Sequence, residues 1–373
     1  MNAAKRNVLI LAACQTLYMS GTSLMITTSP LIGQLLADDK GMAMRAIGRR
    51  NGFMFATLFG MAGATIAGFA IINAWFWVFS LGVFIVGWFN GFAVFYRFAA
   101  ADASAPEFRA KAISWVLTGG LFAAILGPEL AKYTVDLLSP IMYAGSYFAL
   151  IGLYILTMLL VSQVKIPPLT AEEKATRGRP LLKILAQPKC FVAIATAVVA
   201  YGVMGLLMTS TSLAMMASGF DFNASATVIQ MHIVGMFAPS FFTGNLIRRF
   251  GVMRIVLAGI LISIVCVTVD LAGIHFLNFG IGLLLLGVGW NFMFIGATTM
   301  LTDTYDISER AKIQGFNDFL IFATIATAAI SSGNLLHYFG WRTVNYGVLP
   351  FLAVILLLVL WLARSQRRHT AAA

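Results

Sequence analysis

Among the ionisable side chains inside the long apolar runs of this sequence, three are the candidates for proton chemistry: Glu129 in Gly127-Pro128-Glu129, His232 in Gln230-Met231-His232, and Asp318 in Gln314-Gly315-Phe316-Asn317-Asp318. A charge at the centre of a membrane-spanning helix costs about 2.5–3.5 kcal/mol on insertion scales, so each such group needs a reason to be there. One reason is proton movement, and histidine alone titrates near neutral pH without a large shift. Each residue also has a plainer reading. Glu129 is either a coupling carboxylate or an interfacial acid paired with Lys132. Asp318 is either a gate or proton relay, or half of a cytoplasm-side ion pair with a basic loop residue. His232 either binds solute or a proton, or is a neutral ring bonded to a neighbouring helix. Arg97 follows Tyr96 at the end of a run. It either snorkels to the interface or faces a cavity, where it would favour an anionic solute. Uncharged candidates for the wall of a solute cavity are Gln15, Tyr18, Asn90, Trp290 and Asn291.

The elements that must position these residues follow from composition. Of 373 residues, 60% are apolar and 10% are charged. A soluble domain carries about 25% charged residues, so the solvent for this surface is lipid. A spanning helix needs about 20 apolar residues. Runs of that kind lie near 8–36, 52–73, 75–98, 112–131, 139–161, 190–217, 224–247, 252–274, 278–301, 313–336 and 343–363, which makes eleven. The net charge of +11 does not indicate nucleic acid. The basic residues cluster in short loops between runs, as cytoplasmic loops do under the positive-inside rule. The expected place is the plasma membrane, or the inner membrane of a Gram-negative bacterium, in contact with the lipid bilayer. Leu11-Ala12-Ala13-Cys14 has the form of a lipoprotein cleavage box, but the apolar stretch before it is short and continues past Cys14, so it reads as a retained first helix. Cys14, Cys190 and Cys266 all lie in apolar runs without metal or redox spacing. No nucleotide-binding loop and no clustered catalytic constellation is present, so the expectation is a non-enzyme with no cofactor.

An internal repeat organises the chain. Asp102, Arg109, Ala110 and Lys111 recur as Asp303, Arg310, Ala311 and Lys312, and Asn90 recurs as Asn291, all at an offset of 201 residues. Arg45 and Gly48 recur as Arg248 and Gly251 at 203. The expected domains are an N-terminal bundle at 1–162, a polar, Pro-broken cytoplasmic linker at 163–188, and a C-terminal six-helix bundle at 189–373. Thr27-Thr28-Ser29-Pro30-Leu31 resembles Thr209-Ser210-Thr211-Ser212-Leu213 at an offset of only 182, so the first half is short by 21 residues before Arg45. That is about one spanning helix. Topology leads to the same place. Asp38 belongs outside and Arg45 inside, yet seven residues reach at most about 25 Å across a hydrocarbon core of about 30 Å. The N-terminal bundle is therefore expected to have five spans, with the second helix of a twelve-helix plan missing.

Two parallel halves, a long central loop, and the loop Arg45-Ala46-Ile47-Gly48-Arg49-Arg50 echoed by Arg248-Arg249-Phe250-Gly251 resemble the major facilitator superfamily. The resemblance covers the whole chain and implies an all-α membrane protein of two pseudo-repeated bundles. It implies cytoplasmic gate loops containing Arg45, Gly48, Arg49, Asp102, Arg109, Arg248, Gly251, Asp303 and Arg310. The family normally places Asp where Arg45 and Arg248 stand, so Asp102 and Asp303 are expected to supply the acidic partners, with Arg248 and Asp303 as one pair. Gly119-Gly120 and Gly127-Pro128 resemble part of the fifth-helix motif of antiporters, where a helix can bend. The function expected is secondary, non-ATP transport of a small solute by alternating access at a mid-membrane site, with protons as a coupling ion and a monomer as the working unit. The alternative is a transport-inactive, truncated protein of the same fold.

Overall fold

The computed structural model describes residues 3–24, 48–134, 136–166 and 178–372. These residues form helices joined by short turns, and among them there is no strand. The chain divides into two compact units, one of residues 1–178 with 306–319, the other of residues 179–305 with 320–373.

The first unit contains α1 (Ala3–Leu24), α2 (Arg49–Ile72), α3 (Phe76–Ala93), α4 (Tyr96–Asp102), α5 (Arg109–Leu117), α6 (Gly119–Thr134) and α7 (Ala144–Ser162). α2 packs on α3 and α7, and α1 packs on α6. The α2–α3 contact is nearly backbone to backbone. A Cβ on Gly63 would strike the Gly82 carbonyl oxygen, and one on Gly82 would strike the backbone of Ala67. In lipid, close approach of small residues replaces the hydrophobic drive that packs helices in water. The interruption between α5 and α6 falls at Thr118, before Gly119-Gly120, and α6 continues through Pro128. Asn7 on α1 grips the start of the linker with both amide atoms. Its Nδ2 donates to the Lys165 carbonyl (2.8 Å), and its Oδ1 accepts from the Lys165 N–H (3.1 Å).

The second unit contains α8 (Leu181–Leu185), α9 (Pro188–Ala217), α10 (Phe222–Phe237), α11 (Ser240–Phe250), α12 (Val252–Ala272), α13 (Phe276–Thr302) and the larger part of α14 (Arg310–Ala372). Its centre is α13, against which α9, α10 and α12 pack. Two glycine rows explain why α13 takes so many neighbours. Gly282, Gly289 and Gly296 meet Asp270, Ser263 and Val256 of α12, while Gly280 and Gly287 meet Met231 and the His232 backbone of α10. The seven-residue spacing keeps each row on one face, as in left-handed helix pairs. Pro239 separates α10 from α11, as expected of a residue without an N–H to continue the ladder.

Eight helical segments among the described residues are long and apolar enough to cross a membrane. One of them, Arg310–Gln366, joins two of the runs read from the sequence, with a non-helical break at Gly340 (φ 75°). The span expected from 112–131 is divided into α5 and α6. The run 8–36 is described only as far as Leu24, and the proposed deletion point near Arg45 lies outside the described residues.

Candidate functional site

The first unit holds two buried charge clusters. The deeper one joins α4 to the first turns of α14. Arg97 donates from Nη2 to Asp318 Oδ1 and from Nη1 to the Val94 carbonyl (2.7 Å). Asn317 Nδ2 also donates to Asp318 Oδ1 (2.9 Å). Both charged side chains are at least nine-tenths buried. The Asp318 Oδ2 atom has no hydrogen-bond partner among the described residues. Arg97 therefore neither snorkels to an interface nor faces an open cavity, and the partner of Asp318 is a helical arginine instead of a loop residue. Breaking such a buried pair from one side leaves an uncompensated charge, at a cost of about 3–5 kcal/mol.

The second cluster forms where α2 begins. Gly48 (φ 82°) turns the chain into α2 in a conformation that side chains with a Cβ rarely adopt. The next residue, Arg49, is 6% exposed. Its Nη2 donates to Asp102 Oδ2 at 2.6 Å and to Gln314 Oε1 at 2.9 Å. Arg310 Nη1 stands 3.8 Å from the same Asp102 oxygen. Of the expected loop residues, Gly48, Arg49, Asp102 and Arg310 thus come together, and Arg109 opens α5. Arg45 lies outside the described residues.

In the second unit Gly251 repeats the turn at φ 86°, but the residue after it is Val252. Asp303 bonds Lys189 Nζ (2.7 Å), and both side chains are substantially exposed. Arg248 is exposed on the last turn of α11 and makes no ion pair among the described residues. The expected pairing of Arg248 with Asp303 is therefore replaced by one to Lys189, brought in by the start of α9.

Asn291 is fully buried in a network of three bonds. Its Nδ2 donates to the Met236 carbonyl and to Ser240 Oγ (both 2.6 Å), and its Oδ1 accepts from Thr243 Oγ1 (2.7 Å). These partners flank Pro239, so Asn291 satisfies backbone freed by the interruption of the helix there. Its repeat counterpart Asn90 is buried on α3, and its side-chain amide makes no hydrogen bond among the described residues. His232 is 0% exposed. Its Nδ1 lies 2.8 Å from the Leu283 carbonyl, which can only accept, so that nitrogen carries the proton. Trp290 stacks on Phe294 (centroids 5.0 Å apart), and Tyr201 meets both rings edge-on. The Trp290 indole N–H is buried without a partner among the described residues. Gln15 is buried on α1, while the side chains of Tyr18 and Glu129 lie outside the described ones.

Three functional-looking groups escape the sequence reading. Gln314 completes the Arg49 cluster and Lys189 takes Asp303. Asp270 is a carboxylate inside the run 252–274, 1% exposed. The signal for Asp270 was present, as a lone acid in an apolar stretch.

These features define a polytopic helical membrane protein with duplicated halves and buried ion pairs, the construction of a solute carrier. The Major Facilitator Superfamily profile matches residues 11–269 and 210–373. The riboflavin transporter RfnT of Brucella anthropi is 38% identical, with 95% of each chain covered. The uncharacterised transporter YdeG of Bacillus subtilis is 29% identical over 79% of this chain and 72% of its own length. Among solved structures, the fold is similar to that of the E. coli fucose:proton symporter FucP (TM-score 0.77, 16% identity, 96% of this chain and 99% of that one). It is equally similar to the human organic anion transporter MFSD10 (TM-score 0.77, 12% identity, 96% of this chain and 100% of that one). The chain belongs to the Major Facilitator Superfamily. It is an integral, multi-pass secondary transporter of a small solute and not an enzyme.

Proposed function

We propose that the solute is riboflavin or a closely related flavin, carried across the plasma membrane by alternating access. The observation that carries this reading is the 38% identity to a riboflavin transporter along nearly the whole of both chains. Chemistry in the second unit favours it. A flavin presents a flat heteroaromatic ring with carbonyl acceptors. Tyr201 is partly exposed and packs edge-on against the buried stack of Trp290 and Phe294, an aromatic cluster onto which a flavin ring would add contacts worth about 0.5–1.5 kcal/mol each beyond area burial. The buried Trp290 N–H is a donor in need of an acceptor. Proton coupling is the second part of the proposal. It rests on Asp318, which holds Arg97 with one oxygen and keeps the other open. Protonation there would loosen the pair.

Binding is the first test. Flavin fluorescence should be quenched on adding the purified, detergent-solubilised monomer, and Trp290→Leu should weaken binding at least tenfold. Absence of quenching, together with no rise in unfolding temperature at saturating riboflavin, would remove riboflavin as the solute.

We also propose that the N-terminal bundle has five spans. The alignment with RfnT spans 377 positions but takes in 95% of this 373-residue chain. About 20 positions of the relative thus have no counterpart here, the length of one spanning helix. Under the alternative, an inactive truncated carrier, the protein would bind riboflavin without moving it.

A further inference from the structure

Asp270 belongs to neither charge cluster. It stands in the last turn of α12, at the end away from Arg248, Arg249 and Arg254, about 27 Å along the helix from Val252 at 1.5 Å per residue. Its carboxylate is held against α13 at Gly282, where a Cβ would collide with Oδ1. Oδ1 has no hydrogen-bond partner among the described residues. The thiol of Cys266, one turn back on α12, is the contact of Oδ2, at 3.7 Å. From α14, the Trp341 indole N–H donates to the backbone carbonyl of Asp270 (3.1 Å) and not to the side chain. Cys266 and Trp341, which touch Asp270, belong to an apolar cluster that also contains Val267, Phe279 and Leu283. Among the described residues, no Lys, Arg or His is paired with the carboxylate. The carboxylate thus has one weak thiol donor at Oδ2, none at Oδ1 and no counter-charge among the described residues, surroundings in which an ionised carboxylate is costly.

We propose that Asp270 is a proton-binding site of the second unit, loaded in this arrangement and emptied only when α13 moves away from the carboxylate at Gly282. The pairing of α12 with α13 and the charge on Asp270 are then linked. The proton is held while Gly282 seals the site and released when water or a donor reaches Oδ1. The site lies near the membrane face opposite the basic loops, so its proton exchanges with that side. Asp270 is a positioning and proton-holding residue and is not assigned contact with the solute.

Infrared spectroscopy of the reconstituted full-length protein tests the site without any solute. At neutral pH the wild type should show a protonated-carboxyl C=O band that Asp270→Asn lacks and Asp318→Asn retains. The band should fade on raising the pH and shift when Gly282 is replaced by Ala. Identical C=O regions in the wild type and Asp270→Asn across the titration would overturn the proposal. A transport arm rests on the riboflavin reading. Asp270→Asn should keep riboflavin exchange within about threefold of wild type while losing at least ten-fold of its stimulation by an imposed pH gradient. Undiminished stimulation would also overturn the proposal. Failure of the wild type to exchange riboflavin would count against the solute and leave the infrared result as the judge of Asp270.

Discussion

The two glycine turns of the repeat have the same backbone and different electrostatics. Gly48 and Gly251 both enter a helix at φ near 85°, with values of 82° and 86°. After Gly48 comes Arg49, buried against Asp102 and Gln314. After Gly251 comes Val252, and Asp303 turns to Lys189 at the surface. The asparagines differ in the reverse sense. Asn291 is tied by three bonds beside Pro239, whereas the Asn90 amide makes none among the described residues. A duplicated fold thus keeps its turns, where glycine is required by conformation, and lets the charges at equivalent positions diverge. The first unit concentrates its ion pairs in buried places. The second concentrates neutral hydrogen bonds there, and its Lys189–Asp303 pair is exposed.

The largest effect should come from the buried arginines. Arg49→Met leaves Asp102 with Arg310 at 3.8 Å, and Arg97→Met strands Asp318. Arg97→Met should lower stability by about 3–5 kcal/mol and Arg49→Met by less, because Asp102 is partly exposed and keeps Arg310; both are read as a fall in unfolding temperature of the detergent-solubilised protein. A loss below about 1 kcal/mol for both would erase the contrast between the units. Next comes the asparagine pair. Asn291→Ala should cost about 1–3 kcal/mol, because it removes three buried hydrogen bonds, one of them to the Met236 carbonyl beside the helix break. Asn90→Ala should cost less than Asn291→Ala, because it breaks no side-chain hydrogen bond among the described residues. Equal losses at the two sites would mean that the repeat has not diverged there. The smallest effect belongs to Lys189→Ala, expected to be below about 1 kcal/mol and to vanish at high salt, as exposed pairs do. A salt-insensitive loss would show that Asp303 is more firmly held than its exposure implies.

The helices were legible because a bilayer imposes a length. Runs of twenty apolar residues announce themselves, and the merged α14 divides at Gly340 between two runs read separately. The turns were legible because Gly48 and Gly251 carry a backbone requirement. Pairing was less so. The repeat offset shows that Asp303 is equivalent to Asp102, but not that Val252 has removed its natural partner or that α9 delivers Lys189 instead. His232 was visible as an ionisable residue in a span, while its bond to the Leu283 carbonyl depends on how α10 lies against the glycines of α13. Asp270 is hard to read from the sequence because the apolar mean of its run conceals one carboxylate near the end. Its significance lies in what surrounds it, which no local pattern encodes.

Riboflavin counterflow in proteoliposomes tests the central claim most directly. Vesicles preloaded with unlabelled riboflavin should transiently accumulate labelled riboflavin above its equilibrium level, and Trp290→Leu should reduce the initial rate at least tenfold. Wild-type vesicles that accumulate no more label than protein-free vesicles, with folded protein confirmed in the bilayer, would contradict the proposal that this chain carries riboflavin.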